Sequence, residues 1–129
     1  MYSPFNSRAA TAYRQVGVAS LVDGASPHRL IQMLMEGGLT RLAQARGAME
    51  RNQTALKGEL VSKAIAIVGG LRQALNLEQG GELAVNLDNL YAYMTTRLME
   101  ANLKNDPAIL EEVADLLREV KSGWDAIAA

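Results

Sequence analysis

Four runs of apolar residues, spaced by alternating three and four positions and separated by proline, glycine or polar breaks, set what this chain can fold into. The first run is Ile31, Met35, Gly38, Leu42, Ala45 and Met49, and the second is Val61, Ala64, Ile65, Val68, Leu71 and Leu75. Leu83, Leu87, Leu90, Tyr91, Met94, Leu98 and Ala101 make the third; Val113, Leu117, Val120, Trp124 and Ile127 make the fourth. Such spacing keeps one side of a helix apolar and does not fit the two-residue period of a strand. Two starts are marked by Ser26-Pro27 and Asp106-Pro107. Ser or Asp accepts a backbone N–H there, and proline in the first turn gives up only a donor that has no helical partner. Gly80-Gly81 is a further break, and Gly58 lies near another start, after the polar stretch from Glu50 to Thr54. The prediction is an all-α, antiparallel four-helix bundle over residues 26–129 with short connections.

Composition agrees. With 129 residues the chain is one domain in size, and 49% hydrophobic against 21% charged residues suffices for a core. Aromatics are only 5%, which favours Leu-, Ala- and Met-rich helices over a β-sandwich. There is no cysteine, so disulfides, thiolate metal sites and a cysteine nucleophile are excluded. The N-terminus from Met1 to Arg8 lacks the apolar run of a signal peptide, and no stretch reads as a membrane span. A cytosolic chain without membrane insertion is expected. The net charge of −1 argues against nucleic acid, and basic residues are not clustered with aromatics. The charge is nonetheless divided: residues 1–75 carry nine basic and four acidic groups, residues 76–129 four basic and ten acidic. The halves can attract one another inside the bundle or present two different faces to partners.

Residues 1–25 read differently. Arg8 to Val18 can form a short helix with Ala9, Ala12, Tyr13 and Val16 on one side, weakened by Gly17 and lacking a strong cap. This segment is expected to be a mobile or short-helical N-terminal arm that docks on the bundle. Secondary apolar positions flank the main stripes: Leu30, Met33 and Leu34, then Leu60 and Ile67, then Val85 and Tyr93. A bundle helix needs about three apolar positions in seven. The excess either fills the core or leaves apolar surface for the arm or a partner helix. Flexible methionines, among them Met33, Met35, Met94 and Met99, suit either use. Leu30, Met33, Leu34, Tyr91, Tyr93 and Met94 are the candidate groove residues.

Catalytic patterns are missing. His28 is the single histidine, too few for a di-iron bundle or a zinc hydrolase, and no serine sits in a nucleophile elbow. No Gly-Gly pair opens a phosphate-binding fingerprint. Those within helical runs, Gly37-Gly38 and Gly69-Gly70, suit close approach of another helix or of a ligand backbone, or simply loose packing. Glu111-Glu112, at a helix start, complement the helix dipole. Neither an enzyme nor a cofactor is expected.

The segment from Ala25 to Leu34, Ala-Ser-Pro-His-Arg-Leu-Ile-Gln-Met-Leu, resembles the opening of the flagellin-specific secretion chaperones, the FliS family. Lys63-Ala64-Ile65, the stretch Leu77 to Leu87, Leu90 to Met94, Ala101-Asn102 with Asp106, and Glu112-Val113 with Trp124 extend the likeness from about Tyr13 to Ile127. The resemblance implies a bacterial cytosolic chaperone, a four-helix bundle that keeps the C-terminal segment of new flagellin from polymerising and helps deliver it to the flagellar export gate. It also implies an arm that covers part of the guest surface, with Tyr13, and beside it Val16, as the arm's contact residues. Met35, Gly38 and Ala92 depart from the family pattern, the first two suggesting a roomier groove. The alternative is a self-associating structural or regulatory bundle that uses its spare apolar surface to form a weak homodimer and ignores flagellin.

Overall fold

The structure is a computed structural model and describes residues 24–127. Helix α1 spans Pro27–Glu50, α2 Thr54–Gln73, α3 Gly81–Lys104 and α4 Pro107–Asp125. Each packs on the two beside it in the order α1, α2, α3, α4 and back to α1, which closes a square bundle. Side-chain bridges fix the directions. Gln32 and Arg46, near the two ends of α1, reach Asp125 and Glu111 at opposite ends of α4 (2.9 and 2.8 Å). Arg72 at the end of α2 meets Asp88 near the start of α3 at 2.6 Å. Neighbours are therefore antiparallel all round, as the periodicity predicts.

Both proline-marked starts form as expected. Ser26 Oγ accepts from Arg29 N (3.1 Å) and Asp106 Oδ1 from Ala108 N (2.9 Å), with Pro27 and Pro107 in the first turns. Helix α2 begins at Thr54, earlier than the expected start near Gly58. Asn52 has φ 57°, a left-handed conformation asparagine tolerates better than most residues, and reverses the chain at once. Asn105 ends α3 in the same way (φ 53°, ψ 47°), its N–H donating to Ala101 O.

One core fills the square. Ile31, Leu34, Met35 and Leu42 of α1 meet Val68 and Leu71 of α2, Met94 and Leu98 of α3, and Leu110 and Leu117 of α4, all essentially without exposed surface. At Gly38 the neighbouring helices come close: a Cβ there would lie 3.0 Å from Leu117 Cδ2 and 3.3 Å from Ile67 Cγ2. Of the readings for this glycine, close approach of a neighbouring helix is the one observed. Met35 and Gly38 belong to the packed interior and do not make a groove roomier.

Lys57 is buried, with 7% of its surface exposed. Its ammonium donates to Asn102 O and to Asn105 Oδ1, each at 3.1 Å. A cation at the end of α3 meets carbonyls left without helical donors and the negative pole of the helix dipole, which offsets its desolvation.

Candidate functional site

Among the described helices, α3 is the one whose outward side is apolar. Val85, Ala92 and Met99 recur every seven residues, and Leu103 follows four later, so all four lie in one row along the outside. Val85 is 47% exposed, Ala92 partly buried, Met99 60% exposed and Leu103 85%. Asn86, Asn89 and Thr96 flank the row with uncharged polar groups. Two of its charged neighbours are drawn sideways into pairs, while Glu82, three residues before Val85, is exposed at the start of the helix. Asp88 is bound by Arg72 through two contacts (2.6 and 3.3 Å), and Glu100 by Arg97 at 2.6 Å. The Arg72 hydrogen bond holds the Asp88 carboxyl below its ordinary range, and Asp88 in turn raises the guanidinium. Beside Asp88 and Glu100 the strip can desolvate against an apolar partner without stranding an unpaired charge.

The strip has a polar border on the α4 side. Tyr93, 46% exposed, donates its hydroxyl to Glu112 Oε2 at 2.5 Å, while Arg97 Nε donates to Glu112 Oε1 at 2.8 Å. Tyr93 and then Arg97 lower the Glu112 carboxyl, and that carboxylate raises the Tyr93 phenol. Tyr93 thereby offers a ring face whose polar tip is already satisfied. Beyond this border the surface is ionic. An open cleft of about 910 Å³ runs along α4, lined by Glu111, Glu112, Asp115 and Glu119 with Arg46 and Leu116.

The candidate groove residues separate into two sets. Met33 is half-buried and Tyr93 exposed, whereas Leu34, Tyr91 and Met94 have no exposed surface and Leu30 only 4%. Those four side chains form core, not the wall of an open groove. The reason lies in the neighbours: α1 is wedged between α2 and α4, so a second apolar stripe on it, and likewise Leu60 and Ile67 of α2, faces protein. Val85 and Tyr93 are the secondary positions that remain outside, and Leu83, read as part of the third stripe, is exposed as well. Tyr13 and Val16 lie outside the described residues. Leu103 went unnoticed in the sequence, although its place four residues after the Val85–Ala92–Met99 series marks it.

His28 is used in packing. Its ring stacks on Trp124 with centroids 4.6 Å apart and planes 16° from parallel, and Trp124 Nε1 donates to His28 O at 3.0 Å. Among the described residues no three His, Asp or Glu side chains converge as a metal site, and no helix is long and apolar enough to cross a membrane.

Residues 9–129 match the family model described as "Flagellar protein FliS". The chain belongs to the FliS family. It is 62% identical over 120 residues to the flagellar secretion chaperone FliSB of Pseudomonas aeruginosa, covering 93% of this chain and 95% of that protein. The flagellar secretion chaperones FliS of Salmonella typhimurium and Vibrio cholerae are 48% and 46% identical, each over 90% of this chain and 87% and 85% of their own lengths. The family resemblance in the residues around Ser26-Pro27 and Leu77 to Leu87 thus extends along nearly the whole sequence. Family members close to this chain therefore carry the chaperone designation.

Proposed function

We propose that this protein is a flagellar secretion chaperone that binds the C-terminal segment of newly made flagellin in the bacterial cytosol, prevents its premature polymerisation and presents it to the flagellar export gate. The observation that carries the reading is the uncharged apolar row Val85–Ala92–Met99–Leu103, on a helix otherwise embedded in an ion-paired surface. A flagellin segment that forms amphipathic helices in the filament brings anchors at i, i+3, i+4 and i+7, which a helix-flanked apolar strip accommodates. Burying apolar area at about 25 cal/mol per Å² drives docking, offset by ordering a flexible guest. The work is sequestration, and no bond is made or broken. The Tyr93 ring extends the apolar contact at the margin of the row, and Met33, on the diagonally opposite helix α1, is a separate contact for a guest that wraps around the bundle. The arm, through Tyr13 and Val16, competes for guest surface in the empty chaperone and lowers apparent affinity until it is displaced.

Titration calorimetry of the full chain with a flagellin C-terminal peptide tests this, alongside the double variant Val85→Asp/Leu103→Asp. Both positions are exposed, so the variant should keep its helicity and melting temperature while losing more than about tenfold in affinity, the equivalent of about 1.4 kcal/mol. Equal affinity would remove the α3 row from the mechanism. A parent chain that ignores the peptide, yet dimerises through the same row in a concentration-dependent way, would favour the self-associating alternative.

A further inference from the structure

Among the described methionines, four are shielded to different degrees and one is not. Met35 and Met94 have no exposed surface, Met49 has 4%, and Met33 is half-buried, whereas Met99 is 60% exposed. Met99 also lies within the apolar row, between Ala92 and Leu103, where no carboxylate or cation separates its thioether from the surface an apolar guest would cover. We propose that Met99 is a peroxide-sensitive modification site whose oxidation loosens the chaperone's hold on its guest; the second half of this statement rests on the flagellin reading above.

The chemistry is a two-electron oxygen transfer. The Met99 sulfur attacks one oxygen of hydrogen peroxide, the O–O bond breaks, and the sulfur gains an S–O bond. The other oxygen leaves as water after proton transfer, so one peroxide is consumed for each sulfoxide formed. No enzyme group is needed, only access of the oxidant to sulfur, and access is what separates Met99 from Met35, Met49 and Met94. The product replaces a soft apolar group by a strongly dipolar S=O that prefers water. Placed mid-row, the sulfoxide must stay hydrated or be buried without a partner, and either outcome weakens an apolar contact. The bundle interior is untouched, because the side chain already points into solvent. The change is reversible by methionine sulfoxide reductases, which makes the position a switch and not merely a lesion.

The test exposes the full-length chain to limiting hydrogen peroxide, maps sulfoxide at each methionine by peptide mass spectrometry, and measures affinity for the flagellin C-terminal peptide before and after. Met99 should oxidise at least about tenfold faster than Met35, Met49 and Met94, as its far greater exposure requires. The oxidised chain should bind about tenfold more weakly with an unchanged melting temperature, since losing the burial of one methionine is of that size. Treatment with the two methionine sulfoxide reductases should restore binding. In Met99→Leu, whatever its starting affinity, the ratio of treated to untreated affinity should stay near one. Uniform oxidation of all methionines would overturn the site, and full affinity with Met99 quantitatively oxidised would overturn its effect. If the untreated chain ignores the peptide, the flagellin reading and the switch on it both fall, while the oxidation map still decides the selectivity of Met99.

Discussion

Helices α1 and α3 are equally long, 24 residues each, and both carry two apolar stripes, yet the bundle uses them in opposite ways. In α1 both stripes are consumed. Leu30 and Leu34 join Ile31, Met35 and Leu42 in the interior, and the outer side is left to ions such as Arg29 with Glu36 at 3.1 Å. In α3 one stripe, through Leu87, Tyr91, Met94 and Leu98, builds core, while the other stays in solvent at Val85, Met99 and Leu103. An apolar residue on a helix therefore has no fixed meaning. Its role depends on how extensively the neighbours pack against the helix: both helices lie between α2 and α4, but α1 is covered by them more fully than α3 is.

The sharpest way to break this comparison is to remove equivalent leucines. Leu34→Ala should cost about 2–5 kcal/mol in urea unfolding, since the cavity opens in a region with no exposed surface. Leu103→Ala, at 85% exposure, should change stability by less than about 0.5 kcal/mol. Similar losses at both positions would erase the division between scaffold and display.

The glycines sharpen it at a smaller scale. A Cβ at Gly38 would press on Leu117 and Ile67, both buried, whereas one at Gly69 would meet nothing within 4 Å. Gly38→Ala should lose about 1 kcal/mol net, overpacking outweighing the gain in helix propensity. Gly69→Ala should gain about 1 kcal/mol from propensity alone. Paired melting curves of the two variants would decide, and a loss at both would mean that the outer side of α2 is not open.

The smallest effect is electrostatic. Asp88, Glu112 and Asp125 are held below their ordinary values of 3.8, 4.5 and 3.8, by Arg72, by Tyr93 then Arg97, and by Lys121 then Gln32. A carboxyl lowered by folding adds stability that is complete above its unfolded value and lost as pH falls through the folded one. The melting temperature should stay level down to about pH 5 and then decline modestly, less so in high salt because these groups face water. The Tyr93 phenol, raised above 10.0 mainly by its hydrogen bond to Glu112, acts at the other extreme, its contribution fading as pH rises through its folded value. A melting temperature insensitive to both acid and alkali would show that the border between α3 and α4 is held by packing alone.

What the sequence disclosed and withheld follows from distance along the chain. Ser26, Pro27, Asp106 and Pro107 act within three residues of themselves, so two helix starts could be read directly. Four amphipathic repeats were likewise enough for the bundle. The interior fate of Leu30 and Leu34 was not legible, because it depends on which helices close over them, whereas Tyr91 and Met94 already stood in the third stripe. Lys57 reads as an ordinary surface lysine until the end of α3, 45 residues away, arrives above it. His28 and Trp124 meet across 96 residues, and nothing near either one announces the other. On the candidate surface, Val85 and Met99 were each singled out, while the row they form with Ala92 and Leu103 emerged only on the outside of α3, where Arg72 and Arg97 turn Asp88 and Glu100 aside.

The Lys57 ammonium has a mechanical consequence. It fastens the start of α2 to the finish of α3 at the pole where two tight reversals, at Asn52 and Asn105, already leave the backbone little slack. The opposite pole joins α2 to α3 through the longer stretch 74–80. A load applied to the outside of α3 therefore acts on a lever with a pinned end, and whatever give the bundle has is gathered at the far one.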